Sequence, residues 1–182
     1  MLSGHTGIAY LLRAWRRDTP MLALLIAAYL PDGIDAVFSL AGATRTCGLY
    51  SHSVPAALVL AAGTYAAMFA WLRRSWPAAA IALAVFLHIP ADWVTGTKLM
   101  WPGGPVSSLV LYQRPYLDFA LETTILLACW AMVRRDAGVP RLLRGWPLIA
   151  LLIATQGAFD VTRFNLKPGE PTGCEVYGVT DR

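Results

Sequence analysis

Apolar runs of membrane-spanning length recur along this chain, broken by clusters of arginine, and they constrain its fold more than any other feature. A helix rises ~1.5 Å per residue, so about twenty residues cross a hydrocarbon layer of ~30 Å. Spans are predicted over Pro20–Leu40, from Ser51 to Arg73 and Arg74, and over Ser75–Val94, Pro115–Val133 and Trp146–Phe164. Met1–Leu12 is apolar too, but reaches only ~18 Å. It predicts a half-spanning or re-entrant helix, tolerated where protein or a wet cavity covers it. The expected fold is all-α: a polytopic membrane bundle of about five transmembrane helices plus an N-terminal half-spanning helix. Residues 1–165 would form one integral-membrane domain and 166–182 a polar C-terminal tail. The chain is 57% hydrophobic and 14% charged, whereas soluble domains are about 45–50% apolar and ~25% charged.

The arginines set a direction. Arg13, Arg16 and Arg17 precede the first full span, Arg73 and Arg74 join the second to the third, and Arg134, Arg135, Arg141 and Arg144 join the fourth to the fifth. Alternating spans bring these clusters to one side, which the positive-inside rule makes cytoplasmic. The net charge of +4 is therefore no nucleic-acid signal. Trp15, Trp71, Trp76, Trp101 and Trp146 fall near span ends, as an interfacial belt does. No cleaved secretory signal is expected, because the first apolar stretch holds His5 and runs into arginines without a small-residue cleavage site. Of the three cysteines, Cys129 falls mid-helix as a packing thiol. Cys47 and Cys174 lie in polar segments on the outward face, where an oxidising compartment would let them pair.

Ionisable residues interrupt these runs, at ~2.5–3.5 kcal/mol each on insertion scales. His88 and Asp92 stand at i and i+4, one helical turn apart, with Pro90 between them. Asp32 and Asp35 share a face beside Pro31 and Gly33; Asp118 and Glu122 are again at i and i+4; Gln156, Asp160 and Arg163 close the fifth span. His52 sits at a helix start between Ser51 and Ser53. Two readings fit such pairs: ligands for a divalent cation, or hydrogen-bonded joints between helices. Measured from the cytoplasmic ends at ~1.5 Å per residue, Asp32, His88, Asp92, Asp118, Glu122 and Asp160 all lie roughly 18–24 Å up. His5 falls slightly deeper and His52 slightly nearer the outer surface. All three histidines thus join one layer in the outer half of the bilayer, and that convergence favours a metal pocket.

The ordered motifs are His5, Leu30-Pro-Asp-Gly-Ile-Asp35, Tyr50-Ser-His-Ser53, and His88 and Asp92 with Thr95, followed by Trp101-Pro102. Over about residues 1–125 this resembles the YdjM/YbcI-type family of bacterial inner-membrane proteins, described as membrane-bound metal-dependent hydrolases. Ser51 stands where that family usually has threonine, the two aspartates are one residue further apart, and the basic residue before the histidine is absent, with Arg45 nearby. The motif order is also similar to the first half of the zinc-dependent phospholipase C and single-strand nuclease superfamily.

The resemblance implies a site for one or two divalent ions, zinc first and Mn²⁺ or Fe²⁺ compatible, held by His5, Asp32, His52, His88 and Asp92. Asp35 is expected as a further ligand or as an acceptor that fixes a histidine tautomer. Asp35 and Asp92 are candidates for catalysis, and Arg45, Lys98 and Arg114 for gripping an anion. Ser51, Thr95, Asp118 and Glu122 are expected behind the ligands. Depth in the bilayer selects an amphiphilic substrate: a phosphoester, or with less support an ester, of a lipid or lipid-linked molecule. A non-catalytic ion- or proton-coupled carrier and a metal-stapled structural protein remain the competing classes.

Overall fold

A computed structural model describes residues 3–42, 50–96, 98–101, 106–107, 109 and 111–166 of the 182-residue chain, without the side chains of Lys98, Leu99, Val106, Ser107, Tyr112 and residues 163–166. Arg45, Cys47, Cys174, the tail from Lys167 onward and the side chains of Lys98 and Arg163 therefore lie outside the described residues.

The fold is helical, as the apolar periodicity predicts. The helices are α1 (Ser3–Trp15), α2 (Met21–Ala28), α3 (Leu30–Leu40), α4 (Val54–Leu72), α5 (Ser75–Thr95), α6 (Pro115–Val133), α7 (Arg141–Arg144) and α8 (Trp146–Leu166). Three of them, α4, α5 and α6, are single helices long and apolar enough to cross a membrane. The predicted first span is instead a bent pair, α2 and α3, whose axes turn by 50° and which counts as a fourth span. Pro31 lacks the N–H that a continuous helix would offer the Ala27 carbonyl, and its ring crowds that carbonyl. α8 is helical throughout the predicted fifth span, Trp146–Phe164, and is apolar over its described part, Trp146–Thr162. The expected count of about five is thus about right: three single-helix spans, a fourth if the bent pair crosses as one, and α8 over the predicted fifth.

α1 is the half-length helix expected at the start, and it is the most enclosed. It packs chiefly against α6, and also against α2, α5 and α8. Ser3, Gly4, His5, Thr6 and Gly7 are all buried. A Cβ on Gly7 would meet Ile125 Cγ2 at 2.7 Å, so the glycine permits the close approach of α1 to α6. The opposite end of α1 is pinned by Arg13, which donates from Nε to Asp136 Oδ2 at 2.9 Å and from a second nitrogen to the Thr19 carbonyl at 2.6 Å. Tyr10 donates to the Leu143 carbonyl. Arg74 pairs with Asp18 at 2.7 Å. The basic loops after α1, between α4 and α5, and between α6 and α8 therefore meet at one end of the bundle.

At the other end, the connector after α5 is stitched down by a two-residue antiparallel ladder, Lys98 opposite Ser107 and Leu99 opposite Val106. Val54 N–H donates to the Met100 carbonyl at 2.8 Å, and Leu109 N–H to the Trp93 carbonyl at 3.1 Å. The ladder lies in a Gly/Pro-rich stretch with no period-two pattern, so nothing in the sequence announces it. The apolar core runs between α1, α2, α5 and α6 around Tyr10, Leu24, Ile81, Val85 and Leu126. Among the described residues α4 packs chiefly on α5, leaving Leu58, Val59 and Trp71 exposed.

Candidate metal centre

The bend between α2 and α3 places the first turn of α3 against the α4 N-terminus and the polar face of α5. Ser53 caps α4, its Oγ accepting from Ala56 N–H at 3.3 Å, so His52 is held just before the helix. On α5, spacing i, i+4 sends His88 and Asp92 to the same side. Asp32 Oδ, His52 Nε2, His88 Nε2 and an Asp92 oxygen all lie within 4.8 Å of one another.

Five of the six separations are close to those of a coordination polyhedron. His52 Nε2 is 3.0 Å from His88 Nε2, 3.2 Å from Asp32 Oδ1 and 3.3 Å from Asp92 Oδ2. His88 Nε2 is 3.5 Å from Asp32 Oδ1 and 3.4 Å from Asp92 Oδ2. Donors ~2.0–2.2 Å from a tetrahedral zinc ion would stand about 3.3–3.6 Å apart.

Tautomers sharpen the fit. His88 Nδ1 is 2.8 Å from the Ala28 carbonyl, which can only accept, so Nδ1 carries the proton. His52 Nδ1 is 3.0 Å from Asp35 Oδ2 and 2.7 Å from Ser51 Oγ, and the Ser51 hydroxyl also bonds Asp35. The carboxylate makes that Nδ1 a donor as well. In the neutral imidazoles both Nε2 atoms are then bare lone pairs, aimed at each other and at two carboxylates. Acceptors alone repel one another; a cation reconciles them. His52, His88 and Asp92 are buried, while the side chain of Asp32 is 47% exposed and forms the open edge.

His5 stands beside this group. Its Nε2 is 3.1 Å from Asp92 Oδ1 and 4.0 Å from Asp32 Oδ2, the carboxylate oxygens opposite those facing His52 and His88. Its ring stacks on His88 with centroids 3.8 Å apart and planes 18° from parallel. Tyr29 meets its edge at 5.6 Å and bonds Thr6 at 2.8 Å. His5 Nδ1 has no hydrogen-bond partner among the described residues.

The other predicted residues divide. Asp35 sits behind His52 instead of with the four donors. Thr95 is buried on α5 and donates to the Asp92 carbonyl at 3.4 Å. Glu122 turns to the far side of α1, where its Oε2 accepts from Gly4 N–H at 3.1 Å and Ser3 Oγ at 3.3 Å. Asp118 is fully buried on the same helix. Asp160 accepts from Gln156 Nε2 at 2.9 Å, and Gln156 Oε1 accepts from Ser3 N–H at 3.2 Å. The single layer of ionisable groups is thus two clusters on either side of the α1 N-terminus. Arg114 is exposed at the start of α6. Sequence reasoning missed the Ala28 carbonyl and Tyr29; Pro31, which breaks the helix just beyond both, was the available signal for the first.

Fold and site together define a helical membrane protein with a buried His/Asp group suited to a metal ion. The family model described as YdjM inner membrane protein matches residues 1–160. The chain belongs to that family. Comparison with curated proteins and with solved structures gave no match.

Proposed function

We propose that this protein is a multi-pass hydrolase of the bacterial inner membrane that uses a divalent metal, zinc first, to cleave a phosphoester of a lipid or lipid-linked substrate. The observation that carries the reading is the four-donor group, with two imidazole tautomers fixed from behind and both Nε2 atoms facing two carboxylates. Two nitrogens and two oxygens suit Zn²⁺, and Mn²⁺ or Fe²⁺ are compatible. When bound, the metal would supply a Lewis acid for the phosphoryl oxygen and lower the pKa of a water toward ~7. The chain's own residues do the rest. His52 and His88 are oriented by Asp35 and the Ala28 carbonyl, and Asp32 gives the open edge from which a headgroup enters. In hydrolysis, water oxygen forms a bond to phosphorus, the ester P–O bond breaks, and the departing alcohol takes up a proton.

The second carboxylate oxygens, Asp92 Oδ1 and Asp32 Oδ2, with His5 Nε2, offer a second and weaker position. It has only three protein donors, and His5 Nδ1 has no acceptor among the described residues to fix its tautomer. With the basic loops cytoplasmic, the site faces the outer half of the membrane.

The test is lipid turnover by detergent-purified protein against a His88→Ala, Asp92→Ala double variant. Metal-dependent release of phosphate or a phosphorylated headgroup, lost in the double variant, supports the hydrolase. Equal turnover by both proteins overturns it. A carrier reading draws on the second cluster, where Glu122 is fully buried and its Oε1 has no hydrogen-bond partner among the described residues. That reading predicts metal- or proton-coupled flux in vesicles without hydrolysis.

A further inference from the structure

The centre occupies one side of α5, and the other side of the same turns lines a cleft. Phe86, Ile89, Pro90 and Trp93, at i, i+3, i+4 and i+7, face Val54 and Ala57 of α4 across a cavity of about 260 Å³. Met100 also lines it, its carbonyl accepting from Val54 N–H. Every lining side chain is apolar or aromatic. Resting on the hydrolase reading, we infer that this cleft binds an alkyl chain of the lipid substrate and so fixes the lipid relative to the metal centre.

Four observations select that occupant. Both walls are helices long and apolar enough to cross a membrane, which puts the cleft within reach of hydrocarbon. Leu58 and Val59, neighbouring it on α4, are themselves exposed apolar side chains. The volume is below the ~300–1,000 Å³ of pockets that enclose a whole small molecule, which suits a stretch of chain whose remainder stays in the bilayer. Finally, the cleft ends where the site begins. Val54 is two residues from His52, at most ~7 Å of backbone, and Ile89 directly follows His88 in α5. A tail seated here would leave its headgroup to round the α4 N-terminus toward Asp32.

The experiment uses the full chain in vesicles doped with phosphatidic acid carrying a diazirine on one long acyl chain. Photolabelling is mapped by mass spectrometry, and turnover of long-chain and short-chain phosphatidic acid is compared. Expected is labelling concentrated on peptides containing Val54–Ala57 and Phe86–Trp93. An Ala57→Phe variant, with Val54→Phe as a second in case the first misfolds, should lose that labelling. It should also lower the ratio of long-chain to short-chain turnover by about tenfold or more. Labelling of the cleft no stronger than that of Leu58 and Val59 overturns the inference, as do copy-to-copy cross-links there in place of lipid. If the parent protein cleaves neither lipid, phosphatidic acid is excluded as the substrate of the proposed hydrolase, and the labelling pattern still decides whether the cleft holds an alkyl chain.

Discussion

Removing Asp35 should weaken metal binding without removing a ligand. Its Oδ2 accepts the His52 Nδ1 proton at 3.0 Å, and its Oδ1 bonds the Ser51 hydroxyl that stands 2.7 Å from the same nitrogen. In Asp35→Ala the charged acceptor goes and only the Ser51 hydroxyl can still hold the tautomer. Loss of such a partner typically costs 10–100-fold in metal affinity, or ~1.4–2.7 kcal/mol. With Ser51 left to compensate, the expected loss lies toward ~30-fold for alanine. Asp35→Asn keeps a carbonyl oxygen but loses the charge, so about tenfold is expected. His52→Ala deletes a donor outright and should exceed both. The assay is competition for Zn²⁺ against a chromophoric chelator in detergent, with X-ray absorption to count donors. The reasoning is refuted if Asp35→Ala binds like the parent. It is refuted equally if that variant loses an oxygen donor from the metal's shell, which would make Asp35 a ligand.

Two further expectations concern the frame around the site. Gly7→Ala places a methyl 2.7 Å from Ile125 Cγ2 and 3.4 Å from its backbone, costing ~1–3 kcal/mol of stability in detergent unfolding. Adding Ile125→Ala should recover part of that loss, and strictly additive costs would count against the contact. The Arg13 guanidinium holds the Asp136 carboxyl below the usual carboxylate range. The sign follows: the stabilisation is complete above the unfolded value of ~3.9 and drains away as pH falls through the lower folded value. Thermal unfolding should therefore drop more steeply below pH ~4 in the parent than in Asp136→Asn, and parallel curves would contradict the pairing.

The sequence carries the donors on α5 plainly, because helical spacing alone puts His88 and Asp92 on one side of a span. It also carries depth: counting along the spans brings all three histidines to one layer. Azimuth is what it lacks. Glu122 and Asp160 share that layer, yet they join the N-terminal turn of α1, Glu122 directly and Asp160 through Gln156, instead of His52 and His88. Nor does a shared face of Asp32 and Asp35 reveal their different duties. Those follow from the 50° bend, which touches the first turn of α3 to the centre and carries Asp35 to the far edge of His52. Backbone acceptors such as the Ala28 carbonyl leave no residue type to read.

The most direct test is the metal content of the detergent-purified chain, with the coordination shell read by X-ray absorption. Expected is at least one tightly held divalent ion per chain, bound by about two nitrogens and two oxygens at ~2.0–2.2 Å. That ion should vanish in the His88→Ala, Asp92→Ala protein while the helical content stays. A folded parent protein that carries no divalent ion and takes up none when Zn²⁺, Mn²⁺ or Fe²⁺ is added would contradict it.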